Sequence, residues 1–438
     1  MPDEWKKAKL GSLLDVQHGF AFKGEYFRDE PPGDILLTPG NFAIGGGFKH
    51  DKFKYYDGPV PEEFVLQEGD LLVTMTDLSR NADTLGYPAL VPRASGQQRH
   101  LHNQRLGKIL IKDARELHAR FLFYVLCTRE YRHEIVASAT GTTVKHTSPS
   151  RIKEFETSIP PFDQQRAIAC ILGALDDNIE LNRRMNQTLE AIARATFKSW
   201  FVDFDPVRAN SEGGDAGMPR QIANLFPASF VESELNEIPK GWSVATLGDV
   251  AENPRRGVQP SEIDPSTPYF GLEHMPRRCI ALSDWGHADS LESNKFEFKR
   301  GEILFGKLRP YFHKVGIAPV NGVCSTDILV VAPKEQEWFG FVLGHISSSD
   351  FVEHTNAGST GTKMPRTSWQ EMARYKVVLP PKKVAARFSE LASALVGRIN
   401  ANIYQSHTLA ALRDSLLPKL LSGELQVSDA KRIARRYA

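Results

Sequence analysis

Two short polar stretches interrupt strand-like sequence in the first third of the chain, and they carry the side chains that read base edges. One is Thr74-Met-Thr76-Asp77-Leu-Ser79-Arg80-Asn81; the other is Leu101-His102-Asn103-Gln104-Arg105. Asn and Gln make two parallel hydrogen bonds to adenine, and Arg makes two to guanine. The same residues would equally serve as solvated turns. Opposite them in the second half lie Gly306-Lys307-Leu-Arg309-Pro-Tyr311-Phe-His313-Lys314 and Cys324-Ser-Thr326-Asp327. Cations interleaved with Tyr and Phe suit phosphate and base contact. The recurrence of polar clusters at the same two places in both halves raises a binding role level with the solvated-turn reading. Candidate DNA contacts are therefore Thr74, Thr76, Asp77, Arg80, Asn103, Gln104 and Arg105, then Lys307, Arg309, Tyr311, Lys314 and Thr326. Thr142 and Lys145 are counted with the first set, and Thr362 and Lys363 with the second; Thr140-Gly-Thr142 recurs as Thr360-Gly-Thr362.

Catalytic and metal-binding patterns are missing. Asp289 with Glu297 and Lys299 has the loose form of a nuclease site, but Glu297 and Lys299 alternate with Phe296 and Phe298 as a half-buried strand requires. Ile159-Pro-Pro-Phe162 has the shape of an adenine methyltransferase tetrapeptide, yet Ile159 has no polar group to accept the amino proton. No glycine-rich loop with a lysine cradles phosphates, since Gly11-Ser-Leu-Leu lacks both features. His100, His102, Cys127 and Cys324 form no triad. The four cysteines, Cys127, Cys170, Cys279 and Cys324, are widely spaced without a CxxC pair, which fits thiols of a reducing cytoplasm and not a zinc site.

The elements that must position the polar clusters are two long helices. The first opens after Pro160-Pro161 and runs from Asp163 to about Phe204, with Asp163 able to cap it and no Gly or Pro after Ala174. Its apolar positions are Ile168, Ile171, Leu175, Ile179, Leu189, Ile192 and Phe197. The same series returns at a fixed offset of 220 as Phe388, Leu391, Leu395, Ile399, Leu409, Leu412 and Leu417, again behind a Pro-Pro pair. A constant offset over such a length marks an internal duplication. About forty residues at 1.5 Å each give roughly 60 Å, too long to stand without a partner along its length. Ile168, Leu175, Ile179, Leu189, Phe197 and Trp200 are thus expected to pair with Phe388, Leu395, Ile399, Leu409 and Leu416. Asn178, Asn182 and Asn186 form a polar row that either fixes register or faces solvent. The aromatic end Phe197–Phe204 suits packing against its domain or a partner.

The duplication extends beyond the helices. Trp242 to Gly248 echoes Trp5 to Gly11, and Phe296–Phe305 echoes Phe64–Val73. The expected divisions are 1–158, a first α+β domain; 159–207, a helix; 208–238, a linker marked by the Gly-rich Asn210–Gly217; 239–378, a second domain; 379–425, a second helix; and 426–438, a basic tail. A single helix is expected from about Glu116 to Ser138. With 438 residues and 41% hydrophobic content the chain can bury real cores. It has no run of eighteen apolar residues and no apolar leader, so neither a membrane span nor a signal peptide is expected, and the reading is cytoplasmic. The net charge of +1 means that any nucleic-acid contact is local or shared with a partner.

These features together resemble the specificity subunit of type I restriction–modification enzymes. The matching strings are Asp163-Gln-Gln-Arg-Ala-Ile behind Pro-Pro, Phe197-Lys-Ser-Trp-Phe-Val-Asp-Phe-Asp-Pro206, Phe270-Gly-Leu-Glu-His-Met275, Gly301-Glu-Ile-Leu-Phe-Gly-Lys-Leu-Arg-Pro-Tyr311 and Ser415–Leu425, with Gly69–Asp77 and Leu101–Arg105. The resemblance implies an α+β fold with two duplicated α/β target-recognition domains separated by two long antiparallel coiled-coil helices, pseudo-two-fold symmetric. It implies a non-catalytic subunit that reads a split site on double-stranded DNA and binds two methylation subunits and, in the full complex, restriction subunits. No cofactor is expected in this chain; S-adenosylmethionine, ATP and Mg belong to the partners. Two other readings stand beside it: a coiled-coil scaffold or adaptor with no DNA contact, and DNA recognition serving a different phage-defence effector.

Overall fold

The computed structural model describes residues 5–50, 53–79, 81–94, 96, 98–361 and 363–434. The chain divides into two compact units, Met1–Ile179 with Thr408–Ala438, and Glu180–His407. Both boundaries fall inside long helices, Phe162–Phe201 and Lys382–Leu421, each of 40 residues. Among the described residues no helix is long and apolar enough to cross a membrane.

In the first unit, Lys6–Lys9 pairs antiparallel with Glu156–Ile159 and ties the start of the segment to its end. An antiparallel sheet runs in the order Leu14–His18, Leu106–Ile111, Leu71–Thr74, Pro88–Leu90. A second, five-stranded sheet holds one parallel pair, Asp34–Leu37 beside His100–His102. Ile35, Leu36 and Leu37 are all buried, so this strand reads as an unbroken apolar run with no solvent face. Ile35 and Leu37 pack with Leu72, Ala89 and Leu106 from the other sheet. The helix expected over 116–138 is two, Ala119–Leu126 and Arg129–Ala137. Thr128 breaks it, because its hydroxyl accepts the Tyr131 N–H and so caps a new start.

The second unit repeats this plan. Ser243–Thr246 pairs with Lys376–Leu379; the antiparallel sheet runs Ala251–Glu252, Ile328–Pro333, Ile303–Gly306, Val315–Ile317; and the parallel pair is Pro268–Phe270 with Gly322–Cys324. The stretch 208–238 is folded. Helix Asp205–Glu212 starts on Pro206 and ends at Gly213, which is left-handed at φ 67°. Asn210 pins it by donating to the carbonyls of Ala223 and Phe226, both at 3.0 Å.

Within each unit the long-helix segments share a core with the sheets. In the first, Ile168, Leu172 and Leu175 pack with Leu409, Leu416, Leu420 and the short helix Ala119–Leu126, with Ile179 at the margin. Tyr124 donates to Asp176 at 2.6 Å, and Arg413 reaches the same carboxylate at 2.8 Å. In the second, Phe197, Trp200 and Phe201 pack with Phe388 and Ile399, and Leu189 is partly buried against them. Helix Phe339–Ile346 approaches closely at Gly344, where a Cβ would lie 2.0 Å from the Phe197 ring. Asn186 meets Asn402 and Asn182 meets Gln405, so within this unit the two segments run in opposite directions. Leu395 is only half-buried and lies outside that core; Ala392 and Val396 occupy the buried positions instead. Of the polar row, Asn182 and Asn186 are buried, while Asn178 donates back to its own helix at Ala174 O.

Candidate nucleic-acid interface

In the first unit three backbone segments meet around Met75. Met75 N donates to Arg105 O at 2.9 Å, Thr147 N donates to Met75 O at 3.0 Å, and Thr140 and His146 exchange both backbone bonds. Thr76–Asp77 pairs with Lys145–His146. The junction therefore brings the Thr74–Asp77 stretch, the Asn103–Arg105 turn and the 140–147 loop to one place.

The side chains there divide into anchors and presented groups. Thr74 is fully buried and its hydroxyl donates to Thr84 O, so the structure moves it from surface to core. Asp77 is 4% exposed and accepts from Ser79 N at 2.6 Å, Thr84 N at 2.5 Å and the Thr84 hydroxyl at 2.7 Å. Burial pushes this carboxyl up, but the Thr84 and Ser79 donors outweigh it and hold its pKa below 3.8. An ionised carboxylate with that many protein donors fixes the turn and has little left to offer a base. Thr76 is buried and bonds the His146 ring at 3.2 Å. Asn103 is buried and accepts from Arg105 N at 3.0 Å. His102 lies beneath, bonded to Leu106 O at 3.0 Å, and burial holds its pKa at about 4, so it is neutral.

The presented residues are Gln104 and Arg105, both exposed, on a ridge between two clefts. One cleft, about 480 Å³, is lined by His18, Met75, Thr76 and His146; the other, about 250 Å³, by Phe22, Phe27, Leu36, Thr38 and Lys54. Thr142 is exposed and Lys145 is half-buried nearby. Arg80 lies outside the described residues.

The second unit builds the same junction. Lys307 N donates to Asp327 O at 2.9 Å, Thr367 N to Lys307 O at 3.1 Å, and Thr360 and Arg366 exchange backbone bonds. Lys307 thus stands where Met75 does, Asp327 where Arg105 does, and Arg366 where His146 does. Arg309 and His313 are both left-handed, at φ 50°, and bracket a single turn, Pro310–Phe312, that lifts Tyr311 to 50% exposure. Arg309 N donates to Pro365 O at 2.7 Å, and its guanidinium reaches toward Lys363 O at 3.5 Å. Lys314 turns inward and donates to Leu272 O. His313 is buried against Ser347 O at 3.0 Å, and burial lowers its pKa, so it adds no charge. Thr326 and Lys363 are exposed; Thr362 lies outside the described residues.

Sequence reasoning missed Arg366 and the anchoring role of Asp327. Arg366 donates through Nε to Asp327 at 2.9 Å. The signal was available, because the Thr140/Thr360 correspondence carried six residues further sets Arg366 opposite His146. Gln165 was also missed. It is 1% exposed, accepts from His118 N and donates to Glu116 O and Pro160 O, locking the first long helix to its own unit.

Residues 2–191 match the family model described as the type I restriction modification DNA specificity domain. The MjaIX type I restriction enzyme specificity subunit of Methanocaldococcus jannaschii is 28% identical over 98% of this chain and 95% of its own length. The HindI specificity subunit of Haemophilus influenzae is 26% identical over 70% of this chain and 77% of its own. The solved S subunit of a type I restriction-modification system from M. genitalium covers 96% of this chain and 97% of its own, with a TM-score of 0.54 at 17% identity, and so shares the fold.

Proposed function

We propose that this chain, which belongs through residues 2–191 to the type I restriction modification DNA specificity family and has specificity subunits as relatives, reads a bipartite DNA site. Specificity subunits are the non-catalytic, DNA-recognising components of these systems, and the chain is such a component. In our reading each unit recognises one half of the site through its three-segment junction. The two long helices, paired as an antiparallel coiled coil about a pseudo-two-fold axis, set the spacing between the halves. Two methylation subunits dock on this frame and methylate adenine N6 with S-adenosylmethionine. ATP-driven, Mg-dependent restriction subunits join them in the full complex, acting in the cytoplasm.

The observation that carries this reading is the junction itself. The same backbone hydrogen bonds recur in both units while the side chains at matching places are exchanged, Arg105 for Asp327 and His146 for Arg366. A frame kept constant beneath altered side chains is what two different half-sites require. Two such modules on one face of a duplex sit about one turn, roughly 34 Å or 10 bp, apart. Helices of 40 residues at about 1.5 Å each are of the length needed to span that with some tilt. The net charge of +1 favours the opposing idea of a protein-binding scaffold. A gel shift on mixed duplexes with the methylation subunits added separates the two: retention of specific duplexes supports recognition, and equal indifference to all duplexes supports the scaffold.

A further inference from the structure

We propose that Arg366 is the side chain with which the second unit reads a guanine, and that Asp327 is the positioning residue that holds it for that task. This assignment rests on the DNA-recognition reading above and names one specificity-determining contact within it.

The guanidinium has two usable edges. Arg366 commits one to Asp327, with Nε donating to Oδ1 at 2.9 Å and Nη2 to Oδ2 at 3.4 Å. The other edge, Nη1 with the second hydrogen of Nη2, has no partner among the described residues, and the side chain is 43% exposed. Two parallel N–H groups match the O6 and N7 acceptors of guanine in the major groove. Adenine offers an N6 donor where guanine has O6, so the same edge meets an N–H and rejects it.

The pair is held on every side. Arg366 exchanges backbone bonds with Thr360 at 2.9 and 3.0 Å and bridges Leu308 on its other flank. Asp327 donates its N–H to the Ser325 hydroxyl at 3.2 Å and accepts from Lys307 N through its carbonyl at 2.9 Å. An arginine fixed in this way loses little side-chain freedom on binding. Lys307, Arg309 and Lys363 lie on the segments bonded to its own and supply phosphate contacts that hold the duplex in place. Arg115 shows that the fork alone is insufficient. It grips Asp113 through the same edge, but the two are two residues apart on a local turn and Arg115 is 90% exposed. At the matching junction of the first unit, His146 replaces Arg366 and Arg105 replaces Asp327. Among the described residues no carboxylate buttresses either one, so the two halves of the site differ at this position.

The test is selection from a pool of duplexes randomised across the site, using the full chain assembled with its methylation subunits. The wild type is expected to require a guanine in one half. Arg366→Ala should reduce preference for that one base by about 5- to 150-fold while the other half and the spacer keep their selectivity. Arg366→Lys retains the charge but has no fork, so it should bind comparably tightly and still lose the preference. Asp327→Asn should weaken it part of the way. If Arg366→Ala fails to fold, the lysine variant decides. Three outcomes overturn the assignment: a selected site with no guanine in either half, undiminished guanine preference in Arg366→Lys, or a uniform loss at all positions. A wild-type complex that selects nothing at all overturns the recognition reading itself, and with it this contact.

Discussion

The buried Asn186–Asn402 pair offers a direct test of how the long helices are held within the second unit. Asn402 donates to Asn186 Oδ1 at 2.8 Å, both residues are at least 92% buried, and Asn402 Oδ1 has no partner among the described residues. Replacing Asn186 with Leu strands both polar atoms of Asn402 in an apolar seam. That loss is about 1–3 kcal/mol for an unsatisfied buried group, partly offset by the added apolar burial. Asn402→Leu strands Asn186 in the same way. The double variant removes both partners, and matched apolar replacement of a hydrogen-bonded pair is close to neutral or stabilising. The expected result is two destabilised single variants and a double variant near wild type, a favourable coupling of about 1–3 kcal/mol. Urea unfolding followed by circular dichroism measures it, with constant slope as the check that one transition is being compared. Additive losses, with the double worse than either single, would show that the asparagines do not act as a pair. Because polar pairs in helix seams fix register at a cost in stability, the double variant should also recognise a less sharply defined spacer.

Three further outcomes follow from particular contacts. Gly344→Ala places a Cβ 2.0 Å from Phe197; overpacking should lower stability by about 1–3 kcal/mol, and Phe197→Leu should return part of it in a denaturant titration. The Asp77 carboxyl has a folded pKa below its unfolded value of 3.8, so its stabilisation is present above about that pH and lost as pH falls through the folded value. Asp77→Asn should therefore be less stable than wild type near neutrality, and the difference should shrink under acid, as melting temperatures at a series of pH values will show. Arg309→Ala should weaken binding equally across duplex sequences and reduce the slope of log affinity against log salt by about 0.9 if, as we propose, its guanidinium meets phosphate and not a base; a selective loss at one base would contradict that proposal.

The helices and the duplication were legible because they are written as periodicity. A fixed offset of 220 and a Pro-Pro pair before each helix place Phe162–Phe201 and Lys382–Leu421 to within a few residues. Which apolar residue fills a buried position was less so. Ala392 takes the place expected of its larger neighbours because Gly340 comes close there, its Cβ position lying 3.0 Å from Ala392. Surface chemistry was hardest to read, since Thr74 and Asp77 carry the same polar signal whether they face solvent or knit a buried turn. Lys314 looks like its cationic neighbours in the sequence but bonds inward to Leu272. Conversely, Arg366 drew no notice because its partner Asp327 is 39 residues away and only the fold brings them together.

The most direct test of two half-site readers on one chain is a map of modified adenines in the genome of a host carrying this chain with its methylation subunits. The expected map shows one motif of two specified segments separated by a fixed stretch of unspecified bases, lost when this chain is deleted. A single uninterrupted motif, or a map unchanged by the deletion, would contradict it.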